Sequence, residues 1–471
     1  MIARPLALLG AAIALTACID LAPRYHRPQA PVPTAFPVGG AYPPAAATAP
    51  VVGWRDLFVD PKLKAIIDEA LANNRDLRIA VANIADARGQ YQVQRSDLLP
   101  KLNANLGGAF GQTPASVVAG SAAAGAGEVN ERVFDANLAV SAYQLDLFGK
   151  VRNLTKAALD QYFATREARD AAQITLIAQV AADDLTLGSD RALLAIARDT
   201  QASGQVTLTL TQARFSGGIA SQLDVSQAQT VVEQARSDVA RLTTQVAQDR
   251  NALDLVVGAP VAEDLLPGGI DDPGIAVSRL PAGLPSTVLL ERPDVAQAED
   301  QLKAANANIG AARAAFFPSL SLTGSGGFAS LALSGLFRGA SAAWSFAPTL
   351  SAPIFDAGAN RGNLRVAKAQ RDAAVASYEK AIQTAFREVA DALARRGTIE
   401  EQLAAQQALV AASADAYRLS YARYEAGADT YLNALIAQRT LYVARQSLVA
   451  TQLARADNLV TLYTAFGGGV N

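Results

Sequence analysis

Hydrophobic residues follow a heptad spacing in two stretches of the chain. Apolar and small residues alternate steps of three and four from Val225 to Val246, and again from Ala434 to Thr451. A seam of this kind indicates coiled-coil packing, and its many alanines let helices approach closely. Proline, which breaks helices, is absent from both stretches and from the long segment that precedes each of them. The sequence therefore predicts four long helices, over 150–213, 219–257, 359–425 and 428–466. At 1.5 Å per residue the two longest would reach roughly 90–100 Å, more than a compact globular domain requires.

Between the predicted helices the hydrophobic period changes from seven to two. After Pro318, and again from Trp344, apolar residues and glycines alternate with serine and threonine, and two stretches in the first half of the chain alternate similarly. In one of these stretches Tyr143 falls on the polar side. The pattern predicts strands with one apolar and one polar face. These strands are expected near 101–112, 133–147, 318–330 and 344–355.

The predicted strands constrain the assembly of the protein. They are roughly 10–14 residues long, the length at which a tilted strand crosses a bilayer, although the edge of a soluble sandwich is an alternative. Four strands cannot close a barrel, and lipid does not tolerate open sheet edges. The narrow helical seams also need partners on both sides. The sequence therefore predicts a homo-oligomer with a shared barrel, without fixing the number of copies.

The order of helices and strands occurs twice. Arg214–Gly218 corresponds in the same register to Arg423–Gly427, and Arg95–Pro100 corresponds to Arg313–Pro318. Self-similarity of this kind indicates an internal duplication. The two repeats are expected over 54–270 and 280–466, as halves of one intertwined unit.

The start of the chain is typical of a secreted lipoprotein. One positive residue and an apolar run, within residues 1–17, form a secretory signal that is too short to span a membrane. The run ends in Leu-Thr-Ala before Cys18, which resembles a bacterial lipobox; an ordinary signal peptide is the alternative. Ile19, after the cysteine, suggests the outer membrane. The proline-rich residues 18–53 are expected to form an extended, lipidated tether.

Composition excludes several classes of chemistry. The 471 residues include one Cys, one His and one Met, so a disulfide within the chain is impossible, and a zinc site of three or four His and Cys ligands is nearly excluded. His26 lies among prolines and is a poor candidate for a catalytic triad. The net charge of −2 gives no basic face for nucleic acid. Phosphate-binding GxxxxGK[ST] and HExxH motifs are also absent. We therefore predict that the protein is not an enzyme and has no cofactor other than a lipid on Cys18.

Several phrases of the sequence resemble TolC-type outer-membrane efflux channels, in the OprM-like (NodT-type) lipoprotein branch of the resistance–nodulation–division (RND) pumps. The phrases are Asn73–Leu77, Leu145–Gly149, Ala304–Arg313 and Gly467–Gly469. The resemblance implies a mainly α protein with a membrane β-barrel. Three copies would share a twelve-strand barrel in the outer membrane and a periplasmic α-barrel. The channel would be passive, and a periplasmic adaptor and an inner-membrane RND pump would open it.

The resemblance also implies roles for the two repeated turns. They would form the periplasmic helix tips where the adaptor docks, although a plain helical hairpin turn is the alternative. The implied docking residues are Arg214, Gly217, Gly218, Ser221, Arg423, Gly427 and Thr430. Turns of this kind need glycine for positive φ and close backbone approach.

The channel is implied to constrict near the same tips. The implied gate residues are Tyr424, Leu432, Ile436, Arg439 and Asp224. Leu432 would form an apolar plug, while Tyr424 and Arg439 would bond between helices. Ile436 departs from the pattern of a close relative, which carries Asp there; a ring of Ile would narrow the pore by dewetting instead of binding cations. Asp224 is a candidate to replace that carboxylate in part, with a solvated charge as its alternative.

Export of drugs or other small toxic compounds is the function that these observations favour. A channel for type I protein secretion shares the fold. A periplasmic coiled-coil adaptor or scaffold lipoprotein would explain the heptads but leaves four amphipathic strands unexplained. A single Met and a single His offer little for handling soft metals, which favours organic compounds over copper or silver.

Overall fold

The computed structural model describes five ranges of the chain, which are residues 20–43, 53–114, 128–270, 274–275 and 285–468. The predicted signal (1–17), the predicted lipidation site Cys18 and the adjoining Ile19 lie outside these ranges.

Four long helices dominate the described residues, as the heptad pattern predicts. The helices are α1 (Trp54–Leu57), α2 (Pro61–Asn73), α3 (Arg75–Ser96), α4 (Lys150–Ser216), α5 (Gln222–Val257), α6 (Pro293–Ala314), α7 (Ala359–Glu425) and α8 (Tyr431–Ala465). Both α4 and α7 have 67 residues, and α5 and α8 have 36 and 35. The described residues contain no helix that combines the length and the apolar character needed to span a membrane.

The heptad seams lie where the helices pack. Along α5, Val225, Ala228 and Leu242 are buried, and along α8 the same is true of Ala434 and Leu441. Along α5 most side chains between these positions are exposed, whereas along α8 Leu435 and Gln438 are also buried. The 3.5-residue spacing therefore locates the packed face of α5 correctly, and the packed face of α8 is wider than the seam alone predicts.

Four strands form one antiparallel sheet in the order β1-β2-β3-β4. The strands are β1 (Leu102–Pro114), β2 (Glu128–Leu145), β3 (Ser319–Ser330) and β4 (Ala342–Ser351). The predicted alternation is present: Leu350 pairs with Leu320, whereas Ser345 pairs with Ser325 on the opposite face. Large apolar side chains of one face, including Trp344 and Phe346, are exposed in the single chain.

The position predicted for Tyr143 is wrong, because the register of β2 shifts there. Val140 pairs with Gly324, but Tyr143 pairs with Leu322, so one extra residue is inserted next to Ala142, whose φ is +54°. Such a β-bulge moves every following side chain to the other face. Tyr143 therefore lies on the apolar side, and its hydroxyl donates to the carbonyl oxygen of Leu98.

The last strand ends earlier than the sequence pattern predicts. β4 stops at Ser351, whereas alternation alone extends it to about residue 355. Pro353 has no N–H to donate to the neighbouring strand, and Ile354 and Phe355 are almost fully exposed in the single chain.

The chain divides into two compact units. The first consists of the described residues of 1–28, 84–165 and 298–378, and includes the sheet. The second consists of the described residues of 29–83, 166–297 and 379–471. Its core contains α2 and parts of α4, α5 and α8; Ile66, Ile177, Leu253 and Leu459 are fully buried in it.

The described part of the predicted tether has no helix, but it is not a free spacer. In the first unit, Arg27 donates to both carboxylate oxygens of Glu299 at 2.9 and 2.7 Å, and Tyr25 donates to the same carboxylate at 3.0 Å. Asn306 donates to the carbonyl oxygen of Pro23. Gly310 allows close approach, because a Cβ there would lie 2.8 Å from the Cα of Ala22.

In the second unit, the same segment packs through its aromatic and backbone groups. Phe36 stacks on Phe386 with ring centroids 5.0 Å apart, and meets Phe466 edge-on at 6.4 Å. A Cβ at Gly397 would overlap the carbonyl oxygen of Ala41. Proline spacing predicts an extended backbone, but it carries no information about these contacts.

Candidate functional site

The two repeated turns have the same backbone conformation. We call Gly217–Ser221, between α4 and α5, the first tip, and Ala426–Thr430, between α7 and α8, the second tip. In the first tip the N–H of Ile219 donates to Arg214, five residues back, and Gly218 has φ +74°. In the second, Ala428 donates to Arg423, also five residues back, and Gly427 has φ +71°. Both are glycine-terminated helix ends of the Schellman type.

Glycine is required at only one position of each turn. Gly218 and Gly427 occupy the left-handed region that disfavours a side chain. Gly217 does not have a positive φ, and a Cβ there would make only ordinary contacts of 3.5 Å or more. The backbone of the tip therefore does not explain Gly217, contrary to the expectation from the sequence.

The helices that follow the tips are capped differently. At the start of α5, Ser221 and Asp224 form a reciprocal capping box, in which the Asp224 carboxylate accepts from the backbone N–H of Ser221 at 2.9 Å. At the start of α8 the Thr430 side chain makes no capping bond, and Asp429 accepts from the Thr430 N–H at 2.8 Å. This bond lowers the pKa of Asp429 below its usual value. Asp224, a candidate gate carboxylate, thus has a local structural role.

Arg214 joins the two tips. Its guanidinium carbon lies 4.5 Å from the centre of the Tyr424 ring, a cation–π distance. The same guanidinium donates to the carbonyl oxygens of Tyr424 at 2.8 Å and Glu425 at 2.7 Å. The Tyr424 carbonyl oxygen also accepts from the N–H of Gly427 at 2.9 Å, so Arg214 adds a second donor there and supplies one to Glu425 at the end of α7.

Tyr424 is the centre of a small buried cluster at the tips. Its side chain is 5% exposed, and its hydroxyl lies 2.9 Å from the hydroxyl of Thr211 on α4. The ring of Tyr431, at the start of α8, is 5.3 Å away. Leu208, Val225, Ala228, Val231, Val232, Ala434 and Leu435 complete the cluster.

Arg423 occupies the equivalent position to Arg214 but has a different partner. It forms an exposed ion pair with Asp429 of its own tip, with a distance of 3.3 Å. Exposed pairs of this kind contribute little to stability. The two arginines occupy the same position of the repeated motif. Of the two, Arg214 contacts the other tip region, at Tyr424 and Glu425.

Three of the predicted gate residues share one face of α8. Leu432, Ile436 and Arg439 are spaced by four and three residues, and such positions lie above one another on a helix. Leu432 is 47% exposed and Ile436 is 55% exposed. The face is therefore available to another surface.

Two side-chain contacts connect this region of α8 to α5. Arg439 donates to the hydroxyl of Thr230 at 3.0 Å. Three residues further on, Tyr442 donates to Asp238 at 2.9 Å, and burial, together with this carboxylate, raises the pKa of Tyr442 to about 12. Sequence reasoning missed Thr230, Asp238 and Tyr442, since each flanks the heptad seam and has no distinctive motif.

The structure thus brings some of the predicted site residues together and not others. Tyr424 lies against Arg214, and Leu432, Ile436 and Arg439 share one face of α8. Within the described ranges, the Asp224 carboxylate bonds to Ser221. No group of three or more His, Cys, Asp or Glu residues in those ranges could hold a metal ion.

Comparison with known proteins gives consistent matches over nearly the whole chain. Residues 66–259 and 284–468 match the family described as "Outer membrane efflux protein". The chain is 45% identical over 468 residues to the "Toluene efflux pump outer membrane protein TtgC" and to the "Antibiotic efflux pump outer membrane protein ArpC", both of Pseudomonas putida; each match covers 98% of this chain and 95% of the relative. The open-state crystal structure of the Neisseria gonorrhoeae MtrE outer membrane channel is 38% identical, with a TM-score of 0.82, and the match covers 96% of this chain and 99% of that one.

Proposed function

The chain belongs to the outer membrane efflux protein family, and on that basis we propose that it is the exit duct of a tripartite pump for small organic compounds. It is an outer-membrane efflux channel that extends into the periplasm, and not an enzyme.

We propose that three copies assemble through the sheet. In the single chain, β1 and β4 are the edge strands, and the apolar face between them is exposed. Open strand edges are not tolerated in lipid unless they pair with another strand, whereas an apolar face is suited to contact lipid. Three copies of four strands make twelve, an even number within the range of bacterial barrels. A lipid on Cys18 would add a membrane anchor.

The Arg214 bridge is the observation that supports a gate at the tips. Together with the contact between the hydroxyls of Thr211 and Tyr424, it links the end of α4 to the end of α7. Polar contacts made by so few groups can be broken without unfolding the long helices. Leu432 and Ile436, exposed on the neighbouring helix, would narrow the pore as an apolar constriction in the assembled channel.

Opening is proposed to be a change in helix packing that other proteins drive. The chain has no motif for nucleotide binding, and the energy source that we propose is an inner-membrane pump of the RND type. A periplasmic adaptor would dock at the two tips and shift one hairpin relative to its neighbours. Packed helix pairs commonly have two discrete arrangements, which suits a closed and an open state.

Organic compounds are the cargo class that we propose. The two relatives with the reported 45% identity are named for toluene and antibiotic efflux. Soft metals prefer thiolate, thioether and imidazole ligands, of which this chain has very few.

Growth inhibition in a host that lacks its own channels of this family tests the proposal. The host would express the pump and adaptor with the wild-type chain, with an empty vector, or with the Arg236→Gln variant as an unrelated surface change. We expect the wild type and the control variant to restore tolerance to toluene, dyes and antibiotics. Restored tolerance to copper or silver salts alone, or restored secretion of a protein, would contradict the proposed cargo.

A further inference from the structure

A cavity of about 330 Å³ lies beside the proposed gate, between α4, α5 and α8 of the second unit. We call it the α4–α5–α8 cavity. Its apolar wall includes Val231, Ala235 and Val443, and its polar wall includes Gln438 and Arg439. This volume lies at the lower end of the range for small-molecule sites, which are typically apolar with a few placed polar groups.

Two hydrogen-bond donors of this cavity are not fully used. Gln438 is only 5% exposed, and its side-chain nitrogen has no acceptor among the described residues. A buried donor without a partner destabilises the fold, so it is normally retained for a reason. Arg439 donates one bond, to Thr230, and forms no ion pair within the described ranges. A guanidinium has five N–H donors, and the exposed Arg439 side chain leaves the others accessible to solvent or to a ligand.

We propose that the α4–α5–α8 cavity binds small organic anions, with a carboxylate or sulfonate on Arg439 and Gln438 and an apolar body against Val231, Ala235 and Val443. Guanidinium and carboxylate match in geometry and form paired, charge-assisted hydrogen bonds. The amide of Gln438 supplies a further donor. An uncharged ligand would leave the cation unpaired, and a cation would be repelled.

Binding at this cavity has a consequence for the gate, and this second step rests on the proposed function. The Thr230 hydroxyl is a neutral acceptor, whereas a carboxylate is a charged and stronger one. A bound anion would therefore compete with Thr230 for Arg439. The link between α5 and α8 would weaken, and the open state of the channel would be favoured.

Titration of the purified, detergent-solubilised, full-length oligomer with 2-naphthoate tests the binding step. The matched uncharged probe is 2-naphthalenemethanol, which has the same ring system without the carboxylate. We expect 2-naphthoate to bind at least tenfold more tightly than the alcohol. Arg439→Gln and Gln438→Leu should each weaken 2-naphthoate binding, the former at least tenfold. Thr230→Val should tighten it several-fold, because the competing acceptor is removed. Arg236→Gln removes a positive charge from the exposed face of α5 outside the cavity, and should leave binding unchanged.

Two results would overturn the binding proposal. The first is equal affinity for 2-naphthoate and the alcohol, including no detectable binding of either. The second is a folded Arg439→Gln oligomer that binds 2-naphthoate as tightly as the wild type. If that variant does not assemble, Gln438→Leu, which removes a buried polar group with little change in volume, provides the same test.

Conductance separates the gating step from the proposed function. In a planar bilayer, 2-naphthoate should raise the open probability of the wild type, and a higher concentration should be needed for the same rise in Gln438→Leu. Binding without a change in open probability would overturn the gating step alone. Loss of drug tolerance in the host is a separate readout, and it reports on the exit duct regardless of the anion.

Discussion

The guanidinium of Arg214 covers the ring of Tyr424 at 4.5 Å and also donates to the backbone carbonyl oxygen of that residue at 2.8 Å. One side chain thus holds both the ring and the backbone of a residue 210 positions further along the chain. The tips of the two hairpins are joined at this point. The hydroxyl of Tyr424 in turn contacts the hydroxyl of Thr211, one helical turn before Arg214. Side chains of both α4 and α7 therefore contribute to the bridge.

Removal of this bridge is expected to open the channel. Arg214→Ala loses the ring contact and two charge-assisted bonds, together worth about 2 kcal/mol or more. We expect higher single-channel conductance in planar bilayers. Arg214→Lys keeps the charge but not the paired donors, and should fall between wild type and Arg214→Ala. Wild-type conductance in Arg214→Ala would exclude the bridge from the gate.

Arg439→Ala is also expected to raise single-channel conductance, because it removes the bond to Thr230 on α5. Thr230→Val removes the same bond from the other side, and should raise conductance less, since the cation stays on α8. Arg236→Ala is the matched control, because it removes a positive charge from an exposed position of α5. If Arg439→Ala and Arg236→Ala give the same conductance as the wild type, Arg439 has no part in gating.

Adjacent glycines in the first tip should differ in their tolerance of a side chain. Gly218→Ala places a Cβ on a residue with φ +74°, and should destabilise the tip by about 1 kcal/mol. Gly217→Ala, one residue earlier, should be close to neutral. Hydrogen exchange of the tip amides measures the difference, and equal exchange rates in the two variants would contradict it.

The buried carboxyl of Asp184 is expected to make stability depend on pH. Burial and, as a smaller effect, repulsion from Asp60 raise its pKa from 3.8 to about 7, against the opposing effect of Arg191. The folded state therefore holds a proton that the unfolded chain releases near pH 4. Stability from this group is fully present below pH 4 and is lost as pH rises through 7.

Asp184→Asn removes this dependence. At pH 8 the variant should be more stable than the wild type by up to roughly 3–4 kcal/mol, with the advantage shrinking towards pH 4. Denaturant unfolding of the oligomer between pH 4 and pH 8 measures it. Asp415→Asn, at an exposed site of α7, is the control and should show no such trend. A constant difference across this range would contradict the assignment.

Glu299 is expected to hold the N-terminal segment in place. Its carboxylate is 7% exposed and accepts from both Arg27 and Tyr25. Glu299→Gln leaves Arg27 without its counter-charge, so trypsin should cleave after Arg24 faster than in the wild type; Arg27 precedes Pro28 and is not a trypsin site. Glu401→Gln, at an exposed position of α7, should not change the cleavage rate. Equal cleavage of all three proteins would mean that other contacts hold the segment.

The sequence predicts the periodic elements of the fold, and much less of the individual side-chain contacts. Heptad and alternating patterns locate the four long helices and four strands, because burial imposes those periods on every turn or pair of residues. The bulge at Ala142 breaks the period in one place, and no local pattern marks it. Likewise, Arg214 and Arg423 occupy the same motif, and only the three-dimensional arrangement gives them different partners.

The structure explains one of the sequence motifs that resemble the family. Within Ala304–Arg313, the side chains of Asn306 and Arg313 donate to the carbonyl oxygens of Pro23 and Leu21, and Gly310 leaves room for Ala22. The three positions are spaced by four and three residues, and so share one face of α6. The phrase therefore describes a binding site for residues 21–23, which its own sequence does not reveal.

That site also constrains the order in which parts of the chain can fold. The N-terminal segment is synthesised and exported first, yet its partners at Glu299 and Arg313 follow it by 272 and 292 residues. The segment must therefore remain undocked until most of the chain has emerged. Docking of the N-terminal segment is therefore a late step of folding. It forms contacts of high sequence separation, which slow folding. Variants that weaken this docking should accumulate as late, nearly complete intermediates and not as early ones.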